Sequence, residues 1–278
     1  VLVVATAGAW ACAPGGPPAS PAEVVAVRRA AVPDDPADAA WRSAPVHPAA
    51  LILQDLVEPR LMTPSTAQVR VQAITDGARV AFRLEWDDAT GDDLPGAARF
   101  SDACAVQLPA RIEPDVPAPQ MGEPGRGVEI AYWRASWQAS VDGRKDEIRS
   151  LYPRAAVDHY PFEAAPLGEG SEARREMAAR YAPARGLGNP MEGLRDRAVE
   201  DLLADGPGTI RPAPQGRSTG RGRRLEKGWS VVIARPLPAG LAPGGRSQAA
   251  FAVWEGSRQE AGSRKMRTAW TPFSLEGS

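Results

Sequence analysis

A chain of 278 residues, 43% hydrophobic and 24% charged, carries enough apolar material for one large buried core or two small ones. Lys+Arg 33 against Asp+Glu 34 gives a formal net charge of -1, which offers no broad field for gripping nucleic acid or an anionic membrane. Two cysteines, Cys12 and Cys104, and two histidines, His47 and His159, exclude a four-cysteine zinc site, an iron–sulfur cluster of the chain's own and a C-x-x-C-H covalent haem site.

The first twelve residues, Val1-Leu-Val-Val-Ala-Thr-Ala-Gly-Ala-Trp-Ala-Cys12, form an apolar run ending in the small-x-small pattern Ala9-Trp10-Ala11. This reads as the remnant of an export signal, since a membrane-spanning helix needs ~20 residues. Cys12 follows the expected cleavage position, so it is either the lipidated cysteine of a bacterial lipoprotein or simply left behind by cleavage after Ala11. Residues 13–22 are rich in Pro and Gly and read as a tether to a single domain over 23–278.

Gly 27 and Pro 28 are abundant, which favours strands joined by many turns. Residues 23–29 alternate like a first strand, and residues 34–41 read as a turn entering a short helical piece. Strands are expected at 51–55, 67–74, 79–86, 103–109 and 128–137, with Thr75-Asp-Gly-Ala78 as a hairpin turn in which Asp-Gly supplies the positive φ angles. Residues 140–200 break the pattern with charge, Pro, Gly and one helical stretch at 170–181. Strand character returns at 200–210, 228–236, 248–256 and 265–275, whereas Arg217-Ser-Thr-Gly-Arg-Gly-Arg-Arg224 reads as an exposed basic loop. About nine short strands from both ends of the chain predict a mainly β fold: an antiparallel β-sandwich with a partly helical, loop-rich insertion at about 140–200.

Several short pieces then fall in a recognisable order: Asp38-Ala-Ala-Trp41 with Ala44-Pro45; Asp76-Gly and Leu84-Glu-Trp86-Asp-Asp; Asp102 with Val106-Gln-Leu-Pro109; Met121-Gly122 leading to Val128-Glu-Ile, Trp133-Arg-Ala and Trp137; Gly188-Asn189; Val199-Glu-Asp-Leu with Gly208-Thr; Gly228-Trp-Ser-Val-Val with Arg235-Pro-Leu; and Phe251-Ala-Val-Trp-Glu-Gly256, Lys265 and Trp270. This order resembles the haem b-binding gamma subunits of periplasmic molybdenum oxidoreductases, the ethylbenzene and dimethylsulfide dehydrogenase, selenate and chlorate reductase, and nitrite oxidoreductase type. The resemblance implies a β-sandwich holding one haem b, with methionine and lysine as axial ligands. It also implies an electron-transfer subunit that works beside a molybdenum catalytic subunit, an iron–sulfur subunit and a periplasmic c-type cytochrome, and is not itself an enzyme. The expected location is the periplasm, with membrane contact only through an N-terminal lipid or an uncleaved signal.

On this pattern Met121 and Lys265 are the candidate iron ligands. Met121 sits in a Pro/Gly-braced loop that can fix a thioether, a soft donor that raises haem potential; Met62 and Met191 are its rivals. Lysine ligates only as the neutral amine, so its pocket must remove the proton. Lys145 and Lys227 fall in turns, and Lys265 lies among Arg258, Arg264 and Arg267. Bis-histidine ligation would need both His47 and His159. Tyr132 and Trp133 are candidate haem walls, and Arg134 a candidate propionate partner. The other strand tryptophans read as core, and Asp87-Asp88 and Asp92-Asp93 as solvated turns. The competing expectation is a carbohydrate- or ligand-binding β-sandwich module without haem; a hydrolase is disfavoured, since no catalytic triad, metal cluster or carboxylate pair stands out.

Overall fold

A computed structural model describes residues 22–94, 96, 98–145, 149, 152–156, 171–181 and 195–277. The proposed signal with Cys12, and also His159, Met191 and Gly188-Asn189, lie outside the described residues.

The strands are β1 (Val24–Arg28), β2 (His47–Ala50), β3 (Ile52–Leu53), β4 (Gln68–Thr75), β5 (Arg79–Asp87), β6 (Ala103–Pro109), β7 (Val128–Arg134), β8 (Val199–Ala204), β9 (Arg211–Pro212), β10 (Thr219–Leu225), β11 (Gly228–Pro236), β12 (Arg246–Trp254), β13 (Met266–Arg267) and β14 (Thr271–Leu275). The helices among the described residues are α1 (Ala135–Val141), α2 (Glu172–Tyr181) and two 3-10 turns, Ala39–Ser43 and Gly256–Arg258. Hydrogen bonding links the strands in the order β10-β11-β5-β4-β1-β14-β12-β6-β7-β8-β9, with β2 on β4 and β13 between β12 and β3. The pairing is mixed, because β1 runs parallel to both of its neighbours, β14 and β4.

β12 joins two halves. Its residues 246–249 pair with β14 and its residues 250–254 with β6, so the ribbon of strands turns over on itself at this point. Strand residues alternate sides with period two. One set of alternates, including Phe82 and Leu84 of β5, Val106 and Leu108 of β6, Phe251 and Val253 of β12 and Phe273 of β14, forms the main core between the halves. Phe82 lies edge-on to Phe251 at 5.9 Å and tilted against Phe273 at 5.2 Å.

A second apolar layer covers the far side of the β4-β5-β11 half, where the 3-10 turn Ala39–Ser43 lays Trp41 over Ile74, Ala81 and Val232. Asp38 caps that turn by accepting from Ala40 N at 2.7 Å, and Gln72 holds it down by donating to the Trp41 and Ala44 carbonyls. The expected helical piece after residue 34 is therefore present and has a packing role.

Other expectations shift. The described residues form 14 strands, not about nine, because β9 is only two residues long, β2 and β10 lack apolar alternation, and the expected strand at 265–275 divides into β13 and β14. Residues 135–137 leave the expected strand and start α1, so Trp137 is helical. In the Asp76-Gly77 turn only Gly77 has a positive φ, of 94°; Asp76 instead accepts from Ala78 N and Arg79 N.

The basic segment near 217–224 is not a loop: from Thr219 onward it is edge strand β10, paired along its length with β11. Its core-side positions are glycines because there is no space for more. A Cβ on Gly222 would lie 2.1 Å from Trp133 Cζ2, and one on Gly220 would lie 2.4 Å from Val199 Cγ2. Gly222→Ala is therefore expected to lower the unfolding free energy by about 1–3 kcal/mol, the usual cost of overpacking, with Gly277→Ala, where a Cβ meets nothing within 4 Å, as the comparison in urea titrations followed by Trp fluorescence.

Candidate functional site

The strands β6, β7, β8 and β12 are apolar on their second side as well. Ala103 and Ala105, Val128 and Ile130, Ala204, and Ala252 and Trp254 are buried on the face away from the main core, with Met121, Tyr132, Leu202 and Trp270 packed against them. Register places Ala252, Ala105, Tyr132 and Glu200 in one row across the strands, and Trp254, Ala103 and Arg134 in the next. The middle of this face is a floor of methyl groups, and its borders are aromatic.

Two distant segments converge on the floor. Met266 is buried in the main core opposite Val253, so alternation turns its neighbours Lys265 and Arg267 to the outer face. Lys265 Nζ lies 5.0 Å from the Trp254 ring centre. Burial, with the charge of Arg267 adding to it, pushes the Lys265 ammonium down to about 8.

Met121 arrives on the loop after β6. That loop is tied to the floor by Gln107 Nε2, which donates to the Pro119 carbonyl at 3.0 Å, and to the Lys265 segment by Trp270 Nε1, which donates to the Pro117 carbonyl at 2.6 Å. The Met121 carbonyl accepts from Gly206 N at 2.9 Å. Met121 has φ 69° and Gly122 φ 79°, a left-handed pair. Gly122 must be glycine: a Cβ there would lie 2.9 Å from the Arg126 carbonyl oxygen and 3.2 Å from that of Ala204. The Met-Gly pair of the sequence thus marks a tightly fixed turn that sets where the thioether begins.

An aromatic chain crosses the face beside these groups. Trp254 meets Tyr132 at 5.1 Å, Tyr132 meets Trp137 at 5.4 Å, and Arg195 covers Trp137 at 4.3 Å. Burial pushes the Tyr132 phenol up to about 12, so it stays protonated at neutral pH.

The structure therefore gathers Met121, Lys265, Tyr132 and Arg134 on one face. Trp133 points the other way, into the main core, edge-on to Trp229 at 5.2 Å and to Trp86 at 6.4 Å, with its Nε1 donating to Gln138 Oε1 at 3.2 Å. Of the rival ligands, Met62 is exposed, Lys145 and Lys227 are exposed in turns, and His47 belongs to β2 on the other half. Trp254, Trp270 and Gln107 belong to the ordered sequence pieces, where the tryptophans read as core and Gln107 has no assigned role; in the structure all three shape the face.

A fixed thioether and an amine whose proton is easily lost make a donor pair suited to iron, and neither is the hard oxygen set that magnesium or calcium takes. A floor of alanines bordered by aromatic rings suits a flat ring system, and Arg134 at its rim suits an acidic substituent. The residues present fit a haem. Among the described residues no helix is long and apolar enough to cross a membrane.

Residues 38–179 match the protein family described as ethylbenzene dehydrogenase. Over 263 residues, 92% of this chain and 73% of the relative, the sequence is 25% identical to a protein of Haloferax mediterranei named "Putative respiratory nitrate reductase heme subunit ORF7". Among solved structures, a family 9 carbohydrate binding module from Caldicellulosiruptor kristjanssonii in complex with cellotriose is similar with a TM-score of 0.46 and 9% identity, covering 92% of this chain and 94% of that one.

Trp270→Phe keeps one aromatic ring but removes the indole N–H to Pro117 together with the pyrrole part of the side chain. It is expected to cost about 1–3 kcal/mol through the lost hydrogen bond and lost packing and to raise backbone hydrogen exchange in residues 111–122 well above that in β4 and β5, read by mass spectrometry.

Proposed function

Because the chain belongs to the ethylbenzene dehydrogenase family, we propose that it is a haem-binding subunit that transfers electrons within a molybdenum oxidoreductase and does not itself transform substrate. The observation that carries this reading is the convergence of Met121 and Lys265 on one buried sheet face, with Trp270 binding the two segments to each other. Met121 and Lys265 are the residues that would hold the iron of one haem b, which when bound supplies a one-electron couple whose potential a thioether ligand raises.

The remaining roles belong to the protein. The Met121-Gly122 turn holds the sulfur in place so that little is lost in ordering it on binding. Lys265 sheds its proton at lower cost than a solvated lysine, since burial already disfavours its charge. Trp254 and Tyr132 border the floor and keep water from it, and Arg134 pairs with a propionate. Trp133 supports the sheet from its inner side and leaves the wall to Tyr132 and Trp254.

In this reading, electrons pass between an iron–sulfur subunit, itself joined to the molybdenum catalytic subunit, and a periplasmic c-type cytochrome. Residues 1–22 serve as export signal and tether, and Cys12 either carries a lipid or marks simple cleavage.

Absorption spectra of the full chain, produced with haem available, test the proposal beside Met121→Ala and Lys265→Ala. The wild type is expected to give a low-spin b-type spectrum, and each variant a high-spin one with at least about tenfold weaker haem retention. Lys265→His should restore low-spin character, because imidazole also ligates haem iron. A folded wild-type protein that stays colourless with haem in excess would overturn the reading. A spectrum unchanged in either alanine variant would remove that residue from the ligand set.

A further inference from the structure

We propose that Asp88, Asp102 and Glu255 together bind a hard divalent cation, calcium by size, at the end of the sandwich where its two halves meet. Asp88 directly follows β5, Asp102 directly precedes β6 and Glu255 directly follows β12. The site would thus join three segments remote in sequence, one from the first half of the ribbon of strands and two from the second.

One carboxylate oxygen from each residue lies within 4.8 Å of the other two. Three oxygens so spaced all lie within about 2.8 Å of a common point, close to the calcium–oxygen range. The set contains neither nitrogen nor sulfur, which disfavours zinc. These are not surface acids: Asp88 is 4% exposed, Asp102 0% and Glu255 8%. The expectation of a solvated turn at Asp87-Asp88 therefore holds for Asp87 and fails for Asp88, because the strand end carries the second residue inward.

The hydrogen bonding shows what is missing. Asp88 Oδ1 accepts from Thr90 N at 2.8 Å, whereas Asp88 Oδ2 has no partner among the described residues although the side chain is fully buried. A buried carboxylate oxygen left unpaired is costly and uncommon. Asp102 is wired as an anion: Oδ1 accepts from Gly256 N at 2.8 Å, and Oδ2 from Asp92 N at 2.7 Å and Trp229 Nε1 at 2.9 Å.

Against three such carboxylates, Arg224 brings one positive charge, 4.0 Å from Asp88 Oδ1. Asp92 and Glu260 add negative charge beside the cluster. A divalent cation supplies two of the positive charges still lacking. In agreement, burial pushes the carboxyls of Asp88 and Glu255 up and that of Asp102 up to about 7, as for anions short of a counter-charge.

Terbium titration of the full chain, stripped with EDTA, tests this. Tb3+ takes calcium sites, and the Trp229 indole that donates to Asp102 is placed to sensitise its luminescence. Saturable luminescence that Ca2+ displaces is expected, together with a thermal midpoint about 3 °C or more higher in Ca2+ than in EDTA. Asp102→Asn and Glu255→Gln should weaken Tb3+ binding by about tenfold or more, while the exposed neighbour changed in Asp87→Asn should bind as the wild type does.

Should the carboxyl variants fail to fold, the wild-type midpoint with and without Ca2+ decides the matter. Absence of sensitised luminescence together with an unchanged midpoint in millimolar Ca2+ would overturn the proposal and leave the cluster to shared protons. Binding undiminished in folded variants would overturn its location. The thermal midpoint in Ca2+ against EDTA is read on colourless and haem-loaded protein alike, so the outcome does not depend on the haem reading.

Discussion

β6, β7 and β12 have apolar side chains on both faces, and a sheet of that kind cannot leave either face in water. The main core between the two halves takes care of one side. The other, with Ala103, Ala105, Ala252 and Trp254, has to be covered by something the chain brings from elsewhere. It brings the Met121 loop and the segment carrying Lys265 and Trp270. The proposed site is therefore a consequence of covering the sheet: the segments that exclude water are the ones that carry a sulfur and an amine. Small residues at the centre and large ones at the border make the same surface a floor for a flat ligand.

Much of this was legible in the sequence because strands announce themselves by alternation. The limits expected for β6 and β11 coincide with the observed ones, and those for β5 differ by one residue. Where the signal was poor, the reasons are physical. β10 reads as a basic loop because its inward positions are glycines that yield space to Trp133 and Val199, and its outward positions are arginines; an edge strand of that kind has no apolar stripe. Trp137 looked like a continuation of β7, but the chain turns into α1 at Ala135, whose N–H is taken by the Asp102 carbonyl at 2.9 Å.

Side-chain direction is the harder reading. Tyr132 and Trp133 are adjacent and equally aromatic, and only the register of β7 against β6 decides that one looks outward and the other into the core. The buried acids were hidden in the same way. A pair such as Asp87-Asp88 at a strand end has one residue on each face, and composition alone does not tell which of them water reaches. The Met-Gly pair, by contrast, carried its own explanation, since a left-handed turn at that spot demands the glycine.

Strands β1 and β14 lie side by side near the middle of the ribbon, with Val24 registered opposite Phe273. The run from β10 to β1 and the run from β12 to β9 are not joined into one sheet until β14 has been inserted between β1 and β12. Residues 24 through 275 must therefore all be present before the sheet can close, and contacts spanning that length make closure slow. The segment bearing Lys265 and Trp270 leads directly into β14, so the covering of the outer face is laid down together with the strand that joins the sheet. A prematurely terminated chain would lack the lysine, the tryptophan that holds the methionine loop and the strand that completes the sheet. Covering of the outer face and closure of the sheet thus depend on the same stretch of chain.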